Sequence, residues 1–269
     1  MAVSSTFLAT DGAGYELQMG RWSRRLAPKF IEFAGAAGAA SVLDVGCGTG
    51  SLISTLARDP AHRRLRGIDA SPVYAAYARG AVPDPRVEIE VGDACALTFP
   101  DGGFDCTLAM LVIQFIPDTA RALGEMRRVT RPGGTVAAAV WDARGGVIFM
   151  RLFWDTAAMV DAEGAMRRGK AFARPVSAIG ALGRAFRAAG LEQVVEGEIT
   201  IRTDFASFDD YWAPIDGEDG PIAEYARSLA PDVRATLKDK VRLAYLDGEA
   251  DGPRSYCATA FAARGTVAA

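Results

Sequence analysis

Apolar positions change their period early in this chain. Trp22, Leu26, Phe30 and Phe33 recur at spacings of four, four and three, which predicts a helix from Gly20 to Gly35. Pro28 lies inside that pattern and is expected to kink the helix or to start a second one. The Ala- and Gly-rich stretch from Ala34 to Ala40 reads as a loop. Beyond it comes a short apolar run, Ser41-Val-Leu-Asp-Val45, of the kind carried by a parallel strand buried on both faces. Strand and helix then alternate. Leu52, Ile53 and Leu56 share a helical face, Leu65 to Asp69 is a second strand, and Ser71 before Pro72 suits the start of a third helix. Arg86 to Val91 and Phe104 to Leu111 are two more strands. Asp118 can cap a helix with Leu123, Met126 and Val129 inward and Arg121, Arg127, Arg128 and Arg131 solvated. Arg131-Pro-Gly-Gly134 stops it, and Thr135 to Trp141 forms a fifth strand.

Such alternation argues for a parallel sheet covered by helices on both faces. After Trp141 the rhythm breaks. Gly145 to Pro175 reads as a helical excursion rich in large side chains, and Ser177 to Gly190 resumes the pattern as a helix. A strand near Val195 to Thr203, a second helical excursion from Ser207 to Gly252 and a last strand from Ser255 to Arg264 complete it. With no repeat and no Pro- or Ser-rich linker, the expectation is a single α/β domain over 1–269 with insertions at 145–175 and 207–252.

Half of the 269 residues are apolar and 23% are charged, the ordinary balance of a globular chain. Thirty Lys and Arg against 33 Asp and Glu leave a net charge of −3, which makes nucleic acid and anionic membranes unexpected partners. Cys47, Cys95, Cys106 and Cys257 are dispersed, and His62 is the single histidine, so neither a metal site nor a disulfide frame is expected. The amino terminus lacks the cationic start and apolar stretch of a secretory signal, and no apolar run approaches the length of about 18 residues that a span needs. These features predict a cytoplasmic protein without a membrane span.

The stretch richest in chemistry is Val42-Leu-Asp-Val-Gly-Cys-Gly-Thr-Gly50. Three glycines at alternate positions allow a tight turn and close approach of a ligand to the backbone, with helix N–H groups following. A nicotinamide-binding turn is similar, but it wants glycine or alanine where this chain has Ser51. Asp44 ahead of the turn disfavours a pyrophosphate and favours an ammonium or sulfonium group. Asp69, at the end of the second strand, could accept from a ribose diol, as in other adenosine-binding folds. Asp93, ending the third strand, could accept an exocyclic adenine N–H.

Together VLDVGCGTG, GIDAS (Gly67–Ser71), VGDA (Val91–Ala94), FPDGGFD (Phe99–Asp105) and RRVTRPGGTV (Arg127–Val136) resemble the class I S-adenosylmethionine-dependent methyltransferases. The resemblance covers about residues 40–142 and points to the small-molecule branch that includes quinone-biosynthesis enzymes. It implies a Rossmann-like, doubly wound seven-stranded sheet with its last strand antiparallel. It also implies S-adenosylmethionine as cofactor, S-adenosylhomocysteine as product, and no metal. By position, Gly46, Cys47, Gly48 and Gly50 would cradle the methionine part, Asp44 would hold its ammonium group through nearby atoms, Asp69 the ribose and Asp93 the adenine amine. Ala70, Ser71, Gly92, Ala94 and Met110 would lie beside them; Cys47 also reads as a small side chain behind the loop.

Residues 1–39 would form a helical flap, since Tyr15 to Trp22 also resembles that branch. Arg21 could then pair with the methionine carboxylate and Tyr15 close the pocket; otherwise the segment is an amphipathic helix with Arg21 solvated and Trp22 in the core. The run Ala109-Met-Leu-Val-Ile-Gln114 replaces the Asn- or Asp-Pro-Pro-Tyr of amino-group methylases, no Pro-Cys pair serves cytosine chemistry, and the acid cluster of a magnesium-dependent catechol methylase is missing. His62 reads as an exposed loop residue, which leaves no histidine base. Tyr15, Gln114 and Tyr211 are the side chains expected to touch an acceptor. Phe149, Phe153, Trp154, Tyr211 and Trp212 either line a lid or pack the insertions, with Trp154 and Trp212 the expected pocket members. The expected reaction is in-line methyl transfer to a small, apolar or aromatic acceptor. A non-catalytic cofactor-binding protein and an NAD(P)-dependent oxidoreductase are the alternatives.

Overall fold

Five consecutive strands run the same way because each returns to the sheet through a crossover that packs back on it. The computed structural model describes residues 11–217 and 220–269. In chain order the parallel strands are β1 (Ser41–Val45), β2 (Arg64–Asp69), β3 (Val87–Val91), β4 (Phe104–Met110) and β5 (Thr130–Trp141). Two long strands, β6 (Glu192–Phe205) and β7 (Arg254–Thr266), complete a seven-stranded sheet of order β3-β2-β1-β4-β5-β7-β6. β7 alone is antiparallel, pairing Thr135 with Thr266 on one side and Arg202 with Cys257 on the other. The sheet is thus the mixed, doubly wound one expected.

Side chains alternate across the sheet and divide the core into two layers. Val42 points to the layer built with α2 (Arg21–Ala34), α3 (Ser51–Leu56) and α4 (Pro72–Ala81). Leu43 and Val45 point to the layer built with α5 (Thr119–Val129) and α8 (Ala181–Ala188). The predicted caps form: Ser71 accepts from the Tyr74 amide at 3.2 Å and Asp118 from the Arg121 amide at 3.0 Å. Leu123, Met126 and Val129 are fully buried on α5.

Two local expectations fail. α2 runs unbroken through Pro28, with Trp22, Leu26 and Phe30 held on one buried face, so tertiary packing outweighs the missing amide. His62 is not an exposed loop residue but is 1% exposed. Its Nδ1 lies 2.6 Å from the Ala39 carbonyl; a carbonyl only accepts, so Nδ1 carries the proton. That bond ties the loop before β2 to the loop before β1.

The excursions after β5 are helical. The first is α6 (Ile148–Val160) and α7 (Ala162–Phe172); the second is α9 (Phe208–Trp212), α10 (Gly220–Ser228) and α11 (Pro231–Leu246). They join through aromatic rings: Phe153 lies 5.2 Å from Trp154, 6.4 Å from Trp212 and 6.1 Å from Tyr225. Trp212 also donates from Nε1 to Asp216 at 2.8 Å. Replacing it with alanine should lower unfolding stability by about 3–5 kcal/mol, read from urea denaturation. A stability loss below about 1 kcal/mol would show that this ring does not join the two insertions.

Candidate functional site

The chain leaves β1 through a turn that only glycines adopt without strain. Gly46, Gly48 and Gly50 have φ of 69°, 55° and 97°. A Cβ on Gly46 would lie 2.3 Å from Cγ2 of Val112, whereas one on Gly48 would meet nothing within 4 Å. The first glycine is therefore enclosed by protein and the second faces open space. The Gly46 and Cys47 amides both donate to the Ile68 carbonyl, at 2.7 and 3.1 Å, and fasten the turn to the end of β2.

Asp69 joins the three strand ends. Its carboxylate accepts from the Gly48 amide and from the Ser71 amide, each at 2.8 Å, and its carbonyl accepts from the Gly92 amide at 2.9 Å. Burial raises its pKa, opposed by those two amides. Asp93, at the end of β3, accepts from the Cys95 amide at 2.8 Å. Asp44, in β1, is 1% exposed, and its Oδ2 has no partner. Burial first, then the charge of Asp69, pushes its carboxyl up to about 8, against a hydrogen bond from the Ile53 backbone. Cys47 is buried, and burial with the charges of Asp44 and Asp69 keeps it a thiol. Ala70 and Ser71 follow Asp69, Ala94 packs against the core layer of α5 and α8, and Met110 is buried at the end of β4.

The segment before α2 crosses this turn. A short helix, α1 (Gly12–Tyr15), is capped by Asp11 and continues through a wide turn, Glu16–Gly20, into α2. Glu16 accepts from the Thr49 hydroxyl of the glycine turn and pairs with Arg24. Glu16, unnoticed in the sequence, is thus the charged contact between segment and turn. Arg21, expected there, pairs instead with Asp210 of α9 at 2.9 Å and stacks on Trp22 and Phe205. Nothing local signals that pairing, because the two residues lie 189 apart in sequence.

Beyond β4 and β5 lies a cavity that is partly open to solvent. Leu111, Gln114 and Trp141 come from the strand ends, and Tyr15 and Met19 from the amino-terminal segment. Phe149 of α6 and Arg174, after α7, stand on another side. Leu111 has φ 65°, an uncommon value for a branched residue, and its carbonyl accepts from Gln114 Nε2 at 2.9 Å. Gln114 Oε1 and Trp141 Nε1 are buried without partners.

Trp154, Trp212 and Tyr211 are not on this wall. Trp154 and Trp212 pack between the insertions, and the Tyr211 hydroxyl donates to the Phe149 carbonyl at 2.8 Å, one layer behind the cavity. Burial keeps that phenol protonated, so it is no base. Among the described residues no cluster of three or more His, Cys, Asp or Glu is placed to hold a metal, and no helix is long and apolar enough to cross a membrane.

Comparison with known proteins agrees with the turn and strand order. Residues 43–138 match the family described as "Methyltransferase domain". The 2-methyl-6-phytyl-1,4-hydroquinone methyltransferase of Synechocystis is 37% identical over 120 residues, 44% of this chain and 37% of that one. The chain spans less than two thirds of the length of the curated relatives it matches first. Among solved structures, the phosphoethanolamine N-methyltransferase 2 of Haemonchus contortus with S-adenosyl-L-methionine superposes with a TM-score of 0.59 at 17% identity, covering 95% of this chain and 56% of that one. The 4+2 cyclase SpnF superposes at 0.56 with 22% identity, covering 100% and 88%. At these identities the structural likeness carries the fold alone.

The buried acid at Asp44 makes the fold sensitive to pH. A carboxyl whose folded pKa is raised stabilises the fold fully below its unfolded value near 3.8, and that stability is lost as pH rises through about 8. Urea midpoints should therefore fall between about pH 4 and about pH 8, by at most roughly 6 kcal/mol in stability. Asp44→Asn should flatten that slope; an unchanged slope would mean that Asp44 is ionised throughout.

Proposed function

We propose that this chain transfers a methyl group from S-adenosylmethionine to a small organic acceptor with an apolar, aromatic face. The unpartnered, buried Oδ2 of Asp44 beside the glycine turn carries the reading. With Asp69 it makes an acidic pair that suits a ligand bearing a cation and a diol. A pyrophosphate would meet two carboxylates there, which disfavours a dinucleotide. When bound, S-adenosylmethionine would supply a methyl already activated on a sulfonium.

The protein's own residues would do the positioning. Gly46, Cys47, Gly48 and Gly50 let the backbone approach the methionine part, and Asp44 would lower its own pKa beside the ammonium group. Asp69 spends two acceptor sites on the Gly48 and Ser71 amides and keeps others for a ribose diol. Asp93 would take the adenine amine, with Ala70, Gly92, Ala94 and Met110 around it. Tyr15 and Met19 would exclude water above, and the cavity beyond β4 and β5 would hold the acceptor in line with the methyl. His62, held by the Ala39 carbonyl, takes no part.

The relative named for a phytyl hydroquinone supports an aromatic, apolar acceptor rather than nucleic acid. In this reading residues 1–269 form one domain, with the segment before residue 40 and the helices within 145–175 and 207–252 covering one site. Free thiols at Cys47, Cys106 and Cys257 suit a reducing, cytoplasmic setting.

Calorimetric titration with S-adenosylhomocysteine tests the assignment. The wild-type chain should bind, and Asp69→Ala should weaken binding by about 1.5–3 kcal/mol. Absence of binding to the wild type would overturn the proposed cofactor; unchanged affinity in the variant would overturn the ribose assignment.

A further inference from the structure

The wall of the cavity beyond β4 and β5 carries one charged side chain among the described residues, Arg174. Its neighbours show how this chain usually treats arginine. Arg151 and Arg168 both pair with Asp155, and Arg167 pairs with Glu163 and Glu224. Arg174 has no such partner among the described residues. Its guanidinium lies 4.3 Å over the Phe115 ring. Desolvation lowers its pKa, and no acid raises it again. Holding a half-buried cation with only an aromatic face beside it is unfavourable unless a ligand anion completes the pair.

Two further observations point to a ligand at the same wall. Trp141 Nε1 and Gln114 Oε1 are a buried donor and a buried acceptor, each without a partner. Buried polar groups are rarely left so, and both residues line this cavity. Tyr15, Phe115, Phe149, Met19 and Met150 give the rest of the wall aromatic and thioether faces, beside small aliphatic side chains and the polar Gln18 and Ser177. The loop that presents Arg174 is also unusually fixed. Val176 has φ 53°, rare for a β-branched residue, and the neighbouring Ser177 is 2% exposed with its hydroxyl on the Pro175 carbonyl.

We propose that the acceptor is a small aromatic acid whose carboxylate pairs with Arg174 while its ring lies among Phe115, Phe149 and Trp141. This narrows the acceptor class and rests on the methyltransferase reading above. The planar guanidinium suits a carboxylate through two parallel N–H···O bonds, and the aromatic wall suits the ring. The Trp141 N–H and the Gln114 oxygen then meet the acceptor's remaining polar substituents. Arg174 is a specificity residue that touches substrate and takes no part in the bond exchange.

The test uses the full chain saturated with S-adenosylhomocysteine and three matched probe pairs: salicylate and salicylamide, 4-hydroxybenzoate and 4-hydroxybenzamide, indole-3-acetate and indole-3-acetamide. At least one acid should bind about 10- to 100-fold more tightly than its amide. Arg174→Gln should abolish that preference and Arg174→Lys should retain part of it, both with the affinity for S-adenosylhomocysteine within about twofold of wild type. The variants differ at a half-buried loop position, and circular dichroism compares their folding with that of the wild type. Equal binding of acids and amides, binding of neither, or a preference that survives Arg174→Gln overturns the proposal. So does a variant that loses S-adenosylhomocysteine instead, since Arg174 would then serve the cofactor's carboxylate. Failure of the wild type to bind S-adenosylhomocysteine at all would instead strike the cofactor assignment, which separates the two outcomes.

Discussion

Everything at the candidate site depends on how the backbone turns out of β1. The chain must leave the sheet, expose one amide edge and enter α3 within five residues, Gly46 to Gly50, and three of them have left-handed φ. The turn stands because β2 holds it: the Ile68 carbonyl takes two of its amides and Asp69 takes a third. Asp69 thereby couples the turn, the start of α4 through the Ser71 amide, and the end of β3 through the Gly92 amide. One residue, through its carboxylate and its backbone carbonyl, ties the glycine turn, the start of α4 and the end of β3 together, and the glycines leave the turn's backbone open to close approach. The amino-terminal segment then has a fixed surface to rest on, which Glu16 reaches through Thr49.

The parts of this arrangement that were legible in the sequence are those made by short-range chemistry. The caps at Ser71 and Asp118, the apolar runs of the parallel strands and the alternate glycines depend on neighbours within a few residues, and they form as read. The misread positions depend on distant ones. Arg21 looked available because Asp210 lies a whole sheet away in sequence, and His62 looked exposed because its partner is a backbone carbonyl of the preceding loop. Trp154 and Trp212 resembled pocket walls because aromatic side chains serve packing and binding equally well; only the rings of Phe153 and Tyr225 around them show which. Arg174 carries no sequence signal at all. An arginine between two helices reads as solvated, and its meaning lies in the acid that is not beside it.

The charges of the molecule divide along the sheet. At the ends of β1 and β2, two carboxylates stand close enough for Asp69 to raise the pKa of Asp44, and this end of the site favours positive charge. At the ends of β4 and β5, one cation stands in an aromatic cavity without a counter-ion, and this end favours negative charge. Between them the wall is apolar, formed by Leu111, Met19 and the Tyr15 ring. A donor carrying positive charge and an acceptor carrying negative charge would each be drawn to its own end and repelled from the other. Orientation would then follow from electrostatics before close contact forms.

The fold by itself leaves the chemistry open, since a 4+2 cyclase superposes on this chain as readily as a methyltransferase does. What the two activities would ask of the site differs. A cyclisation needs a cavity that bends one substrate. Methyl transfer needs a cationic donor held beside the acceptor, and the acid is then the group that holds it. Asp44 is destabilising while no cation is present, being buried, unpartnered at Oδ2 and next to a second carboxylate. A residue that weakens the empty fold and is relieved by a cationic ligand has its physical justification in that ligand. The same logic applies at the far end, where Arg174 is unfavourable alone and favourable beside an anion. A buried, unpartnered acid at one end and an uncompensated cation at the other therefore suit two ligands of opposite charge rather than one.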